Sequence, residues 1–160
     1  MKGKVFAACL MAVLSFSVCC KAQKQATLRA TEWKAYGLQF KAPVGFVVED
    51  DSEEGYSVST SVYYISMQLL DGSDLKRSEL AGELKHVAAD DELAAQTPVT
   101  EFELPQFYGV YLKGISENDQ CLYCYLLDKG EGSGFFVSIT YAQKDDKTPE
   151  MILKSFKLVE

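Results

Sequence analysis

Seven consecutive apolar residues, at positions 121–127, limit the folds open to this chain more than any other feature. An antiparallel strand with one face in water alternates apolar and polar residues. This run has the length of a strand but does not alternate, so it predicts a central strand covered on both faces. With helices as the covering layers, the expected fold class is α+β: an antiparallel sheet with helices on both faces, an α-β-α sandwich.

Further strands are predicted around this run from β-branched residues, alternation and turn signals. They are expected at residues 31–40 (as a pair), 46–48, 56–70 (with a bend near Ser59 and Ser61), 99–104, 110–115 and 135–142. The polar residues 116–119 predict a hairpin turn that leads into the central strand. The sheet is therefore expected to be built largely from strands that are neighbours in sequence.

Two helices are predicted from a change of period. In residues 74–93 the apolar side chains fall three or four positions apart, as on one stripe of a helix; they are Leu80, Leu84, Val87 and Ala88. Ser73 is the expected N-cap. A short final helix is expected after Thr148, because a hydroxyl residue suits the N-cap and Pro149 suits the first helical position.

The first 22 residues have the three parts of a cleavable secretory signal peptide. Lys2 and Lys4 precede an apolar stretch at residues 5–18, and small side chains at Cys20 and Ala22 suit the signal peptidase. We therefore expect a signal at residues 1–22, a flexible leader at 23–30, and one α+β domain at 31–160. The expected location is exported, either periplasmic or extracellular.

A lipid anchor is the alternative, because Cys19 and Cys20 end the apolar stretch. An acyl chain on one of them would change a soluble protein into an anchored one. Lipid attachment needs a small residue directly before the modified cysteine, whereas Val18 precedes Cys19 and Cys19 precedes Cys20. Simple cleavage after Ala22 is therefore the preferred interpretation.

The mature chain is expected to be strongly acidic. The whole sequence has a formal charge of −7, and loss of Lys2, Lys4 and Lys21 with the signal changes it to −10. Such a surface repels nucleic-acid phosphates and anionic lipid headgroups, so we expect no nucleic-acid partner. No later stretch is apolar over the roughly 20 residues that a spanning helix needs. We therefore also expect no membrane insertion after signal removal.

Cys121 and Cys124 form a Cys-x-x-Cys pattern, which in redox proteins lies where a strand meets a helix. Here the pattern lies within the predicted central strand, where residues three apart point to opposite faces. Their Cα atoms would be about 10 Å apart, and a disulfide tolerates about 7 Å. We predict two buried, unlinked cysteines. A thiol redox role for Cys121 and Cys124 is the weaker alternative.

No other pattern predicts a catalytic, metal or cofactor site. His86 is the single histidine, so a zinc site lacks the ligands it needs beyond the two cysteines. A hydrolase that uses His86 would require the fold to bring a nucleophile to it. The acidic residues 49–54 have some features of a calcium loop, but the twelfth position would be Ser61 where a glutamate is required. A solvated acidic loop is the preferred interpretation.

Two segments resemble the PsbP-like domain family. One is the aromatic strand with Pro43, Gly45 and Phe46 at residues 36–46, and the other is the last strand followed by the Ser155-Phe156 helix. The family includes photosystem accessory subunits and small exported bacterial proteins. The resemblance implies its fold and a non-enzymatic role, and it assigns no functional residue.

Together these observations predict an exported, non-enzymatic binding or accessory protein. The expected partner is an envelope or secreted protein, and no cofactor is expected. The alternatives are a thiol redox protein that uses Cys121 and Cys124, or a carrier of a small ligand between sheet and helix.

Overall fold

The computed structural model describes residues 25–70, 75–130 and 133–159. These residues form ten strands and two helices. The elements are β1 (Leu28–Trp33), β2 (Leu38–Pro43), β3 (Val47–Asp51), β4 (Gly55–Ser59), β5 (Tyr63–Leu69), α1 (Leu80–Asp90), β6 (Thr100–Glu103), β7 (Phe107–Ser116), β8 (Asp119–Asp128), β9 (Gly134–Tyr141), α2 (Thr148–Leu153) and β10 (Lys157–Leu158). The predicted signal peptide at residues 1–22 lies outside the described residues.

Seven of the strands form one antiparallel sheet in the order β3-β4-β5-β9-β8-β7-β6. Most neighbouring strands in this sheet are also consecutive in the sequence, because short turns join β3 to β4, β4 to β5, β6 to β7 and β7 to β8. β8 lies between β7 and β9, and its residues 121–127 are all buried. The prediction of a central strand covered on both faces is confirmed.

The two faces of this large sheet are covered by different kinds of element. On one face α1 packs against β7 and β8, with Leu80, Leu84 and Ala88 buried. On the other face lies a small sheet in the order β1-β2-β10, together with the short helix α2. Helices on both faces were therefore the wrong prediction. The second layer is mainly a sheet, because the large apolar side chains that cover this face come from β1 and β2.

Each predicted strand has a counterpart in the structure, but β3 extends to Asp51 into the predicted acidic loop and β7 begins at Phe107, three residues early. β1 and β2 are the expected opening pair, and residues 60–62 form the expected bend between β4 and β5. β1 begins at Leu28, so three of its residues lie within the predicted leader. β10 was not predicted, because two residues are too few to show a period.

The two helices begin at residues other than those the sequence patterns predicted, α1 later and α2 one residue earlier. α1 begins at Leu80 rather than near residue 74, and Glu79 at its N-cap makes no side-chain capping hydrogen bond. The predicted cap Ser73 lies outside the described residues. In α2, Thr148 is the first helical residue and not the cap. Its backbone N–H donates to Oδ1 of Asp146, at 2.8 Å, so an aspartate turn supplies the acceptor.

Membrane insertion was not expected once the signal is removed. Neither α1 nor α2, the helices of the described residues, is long and apolar enough to cross a bilayer.

Candidate functional site

Cys121 and Cys124 lie on opposite faces of β8. Cys121 packs beneath α1 with Tyr123 and Tyr125, whereas Cys124 packs beneath the small sheet with Leu122 and Leu126. The two side chains are 3% and 0% exposed, and both thiols are free. The sheet separates the two sulfur atoms into different parts of the core.

Burial also makes both thiols poor nucleophiles. Burial raises the pKa of Cys124 well above its usual value. It raises the pKa of Cys121 as well, although the Thr140 hydroxyl at 3.9 Å from Sγ partly opposes the shift. The thiolate is the reactive form of cysteine. Neither residue has the accessible, stabilised thiolate that redox catalysis requires.

The other residues considered from sequence are exposed and separate from the cysteines. His86 lies on the solvent side of α1. Glu49, Asp50 and Asp51, expected in an acidic loop, instead lie on β3, which is exposed along its whole length and has no flanking helix. Within residues 25–70, 75–130 and 133–159, no group of three His, Cys, Asp or Glu side chains is arranged to hold a metal ion.

A polar cluster that the sequence did not reveal lies where the large sheet meets α2. The Tyr63 hydroxyl donates a hydrogen bond to Oδ2 of Asp146, whose other oxygen accepts from Thr148 N–H. In the same region, Nζ of Lys113 lies 2.5 Å from Oε1 of Glu150, with both side chains about four-fifths buried. The cluster therefore fastens the start of α2 to strands β5 and β7.

The electrostatics of the cluster follow from this arrangement. Burial tends to raise the pKa of Asp146, but hydrogen bonds from Tyr63 and Thr148 and the charge of Lys113 outweigh it, so that the pKa is lowered. Burial and then the charge of Glu150 raise the pKa of Tyr141 to about 12. A cleft of about 510 Å³ opens beside Tyr63 and Asp146.

Sequence reasoning missed this cluster for a simple reason. Tyr63 and Asp146 are 83 positions apart, and neither belongs to a recognisable motif. The one local signal was an aspartate two residues before Thr148-Pro149, which is typical of an aspartate turn that starts a helix. That signal predicts the turn but not its tyrosine partner.

Four large apolar side chains at least 46% exposed belong to β3, to β5 or to the turns that precede these strands, and together we call them the edge patch: Val44, Val47, Val62 and Tyr64. The strand register places two of them on one face, because Val47 is opposite Ser59, which is in turn opposite Tyr64. β3 is the outer strand of the large sheet. The edge patch thus combines apolar side chains with a sheet edge.

An acidic segment, residues 49–54, borders the edge patch along the chain. It carries five carboxylates and includes the turn between β3 and β4. Side chains of the small sheet and its turn hold that turn in place. Trp33 Nε1–H donates to the carbonyl of Ser52 at 2.6 Å, and the Tyr36 hydroxyl donates to that of Glu53 at 2.7 Å. The acidic side chains are therefore presented from a fixed backbone.

The family described as Dihydro-orotase-like matches residues 24–145, which is most of the chain. The chain belongs to this family. The PsbP-like assignment made from residues 36–46 and the C-terminal segment was wrong. Those segments correspond to β2 with its turn and to β9 with α2, and local elements of this kind do not distinguish one family from another.

Two solved structures are similar to this chain in fold. The Saccharomyces cerevisiae Ran-binding protein Mog1p has a TM-score of 0.60 at 8% identity, over 85% of this chain and 97% of Mog1p. A Mog1 mutant has a TM-score of 0.56 at 9% identity, over 84% and 97% of the two chains. At this identity the similarity establishes the fold alone: a mostly antiparallel, Mog1-like sheet structure. No curated protein is significantly similar to this sequence.

Proposed function

We propose that this chain is an exported, non-catalytic domain that binds another protein through its edge patch. The observation that carries the proposal is the exposure of Val47 and Tyr64, 60% and 46%, on the two strands that flank β4 at the edge of the sheet. Clustered apolar side chains at the surface, surrounded by polar ones, are typical of protein interaction sites. Valine and tyrosine side chains lose unfavourable hydration when a partner covers them.

The acidic segment beside the patch indicates the chemistry of the partner. Glu49 accepts a hydrogen bond from the hydroxyl of Ser59, which lies opposite both Val47 and Tyr64, so a carboxylate stands beside these side chains. It favours a partner with lysine or arginine at the matching position and raises the rate of encounter. The same charges oppose pairing of the exposed edge strand with other copies of itself. Mog1p, which has this fold, is a Ran-binding protein. That agrees with a protein partner for this chain.

The separation of the candidate catalytic groups supports a non-catalytic role. An enzyme that used Cys121, Cys124 or His86 would gather them in one pocket, whereas here they lie on two faces of a strand and on the outside of a helix. The family description names dihydro-orotase only by likeness. We expect no turnover of dihydro-orotate by this chain.

A carrier of a small ligand is the second candidate. The cleft of about 510 Å³ beside Tyr63 and Asp146 favours it, because its volume lies in the range of small-molecule sites. Its lining is mostly charged and polar, with Val62 and two alanines as the aliphatic side chains. The edge patch offers the larger apolar side chains, so protein binding is the preferred function.

Site-specific photocrosslinking in the native host tests the proposal. A photoreactive amino acid at Tyr64 should crosslink to one protein in the envelope fraction, and the same probe at Lys85 on α1 should not. Val47→Asp should reduce the Tyr64 crosslink about tenfold, since burial of a valine side chain is worth ~1.5 kcal/mol or more.

Ala89→Asp is the matched control, because it adds the same carboxylate in place of an exposed apolar side chain on α1, away from the edge patch. It should leave the Tyr64 crosslink unchanged. Equal crosslinking at Tyr64 and Lys85, or a Tyr64 crosslink unaffected by Val47→Asp, would contradict protein binding at this patch.

A further inference from the structure

A second surface of opposite charge lies on the outer face of the small sheet. Lys41 of β2, Lys157 of β10 and Lys154 at the end of α2 line a groove of about 610 Å³, which we call the lysine groove. The pairing of β10 with β2 creates it, because Lys157 lies directly opposite Gln39, two residues from Lys41 on the same face. Lys41 N–H also donates to the Ser155 hydroxyl at 2.8 Å, which holds the end of α2 at the sheet.

The local charge of this groove is opposite to that of the whole chain. Three lysine side chains are exposed in it, and none of the described residues that line it is an aspartate or glutamate. The nearest acidic position along β1 on that face is Glu32, which lies opposite Gln39 and outside the lining. The chain as a whole has a formal charge of −7. The net charge of this acidic chain therefore does not show that three lysines lie together on one surface.

The floor of the groove is apolar. Leu28 and Met151, both partly exposed, line it together with the three lysines, whereas the Phe40 side chain is fully buried in the core on the opposite face of β2. Aliphatic side chains of an occupant would therefore be removed from water at the floor, while its carboxylates met the ammonium groups at the rim. An inorganic anion would use only the rim.

Size and charge together select the kind of occupant. Exposed charges act over roughly 8–10 Å at physiological ionic strength, so the three lysines attract an anion only within the groove. A long polyanion such as a nucleic acid would extend beyond the groove and meet the acidic surface. A short segment with a few carboxylates and apolar side chains fits within the range of the lysine charges and does not reach the acidic surface outside the groove.

We propose that the lysine groove binds an acidic, amphipathic segment of a protein, in which carboxylates contact Lys41, Lys154 and Lys157 and apolar side chains contact Leu28 and Met151. This inference goes beyond the edge patch and names a second docking surface with the opposite charge preference. It rests on the proposed function only in that the occupant is a protein.

The test uses the mature protein and a short labelled peptide in which glutamate and leucine alternate. Binding is measured by fluorescence anisotropy, and the site is located by changes in backbone amide NMR shifts. We expect the shifts to centre on Gln39, Lys41, Ser155 and Lys157. The triple variant Lys41→Glu/Lys154→Glu/Lys157→Glu should weaken binding at least about tenfold.

The matched control is Lys34→Glu/Lys76→Glu/Lys85→Glu, which makes the same change of net charge at three exposed lysines outside the groove. It should leave binding within about twofold of the unsubstituted protein, since surface charges at a distance are screened. Circular dichroism and urea midpoints identify any variant that fails to fold. If the triple glutamate variant does not fold, the Lys41→Gln/Lys157→Gln variant takes its place, because it removes two of the positive charges without adding negative ones. It should also weaken binding of the peptide.

Three results would overturn the proposal. Equal loss of binding in the groove variant and the control variant would mean a non-specific charge effect. Equal binding of a peptide in which glutamine and leucine alternate would mean that the lysines have no role. Competition by duplex DNA for the same amides would assign the groove to a different class of ligand. None of these results would alter the crosslinking expected at Tyr64, so the two surfaces are tested separately.

Discussion

Cys121 and Cys124 illustrate how the position of a residue in the fold decides its chemistry. A Cys-x-x-Cys pattern at a helix N-terminus brings two sulfur atoms together and stabilises a thiolate. On a fully buried strand the same spacing directs one thiol beneath α1 and the other beneath the small sheet. Both then behave as small apolar side chains of the core. The strand assignment from the surrounding residues 121–127 was sufficient to predict this arrangement.

We expect both cysteines to react slowly with a thiol reagent under native conditions and stoichiometrically in denaturant. The reason is their burial, which excludes the reagent and raises the pKa of each thiol, so that little thiolate forms at neutral pH. Cysteine labelling followed by intact mass measurement checks this. A mass two daltons low together with a crosslinked Cys121–Cys124 peptide would contradict both this prediction and the placement of β8.

At the scale of elements, the sequence predicted those parts of the fold that depend on residues close together in the chain. The hairpin of β7 and β8 follows from a polar turn between two apolar runs, and α1 from a stripe of apolar residues at helical spacing. β10 and the layer it completes could not be predicted in this way. Lys157 and Gln39 pair across most of the chain, and only the assembled core determines that contact.

The same limit applies to the candidate surfaces. The edge patch is made of residues close in sequence, and two of its valines stand just before the acidic segment. The lysine groove joins β2 to the last residues of the chain, with Lys41 and Ser155 separated by 114 positions. The polar cluster joins Tyr63 to Asp146 over a similar distance. Single-sequence patterns carry no information on contacts of that range.

The attachment of α2 to the large sheet should depend on pH through Asp146. Its folded pKa is lowered below the usual value of 3.8, even though burial opposes this, because hydrogen bonds from Tyr63 and Thr148 and the charge of Lys113 favour the carboxylate. A lowered folded pKa means that ionised Asp146 stabilises the native state at pH values above 3.8. That contribution is lost as the pH falls through the lower, folded value.

Asp146→Asn should therefore destabilise the protein at neutral pH, and its difference from the unsubstituted protein should shrink as the pH falls below 3.8. Urea unfolding over a pH series measures this. Asp145→Asn is the control, because Asp145 is the exposed neighbour and its side chain takes no part in the Tyr63 or Thr148 hydrogen bonds. A difference for Asp146→Asn that stays constant over the whole series would contradict the role of its charge.

At the scale of the whole molecule, the two proposed docking surfaces differ in charge and in location. The edge patch lies on β3 to β5 of the large sheet beside the acidic segment, and the lysine groove lies on the small sheet and α2. A domain with two such surfaces can contact two segments of one partner, or two partners at once. Simultaneous contacts with one partner strengthen each other through effective concentration.

Export is the whole-molecule property that the first 22 residues predict, and it determines which partners the two surfaces can meet. The apolar stretch at residues 5–18 is shorter than the roughly 20 residues that span a bilayer, and small side chains stand at Cys20 and Ala22. We expect the protein purified from the native host to begin at unmodified Gln23, which intact mass spectrometry measures directly.

The residue at the cleavage site allows a matched pair of variants. Ala22→Lys should block processing, because the peptidase requires a small residue there, whereas the control Lys24→Gln should be processed normally. Failure of both variants to be processed would mean that cleavage depends on charge near the site rather than on side-chain size. A mature protein that begins at an acylated Cys19 or Cys20 would contradict simple cleavage. In that case both docking surfaces would be held at a membrane, and their partners would be proteins of that membrane surface.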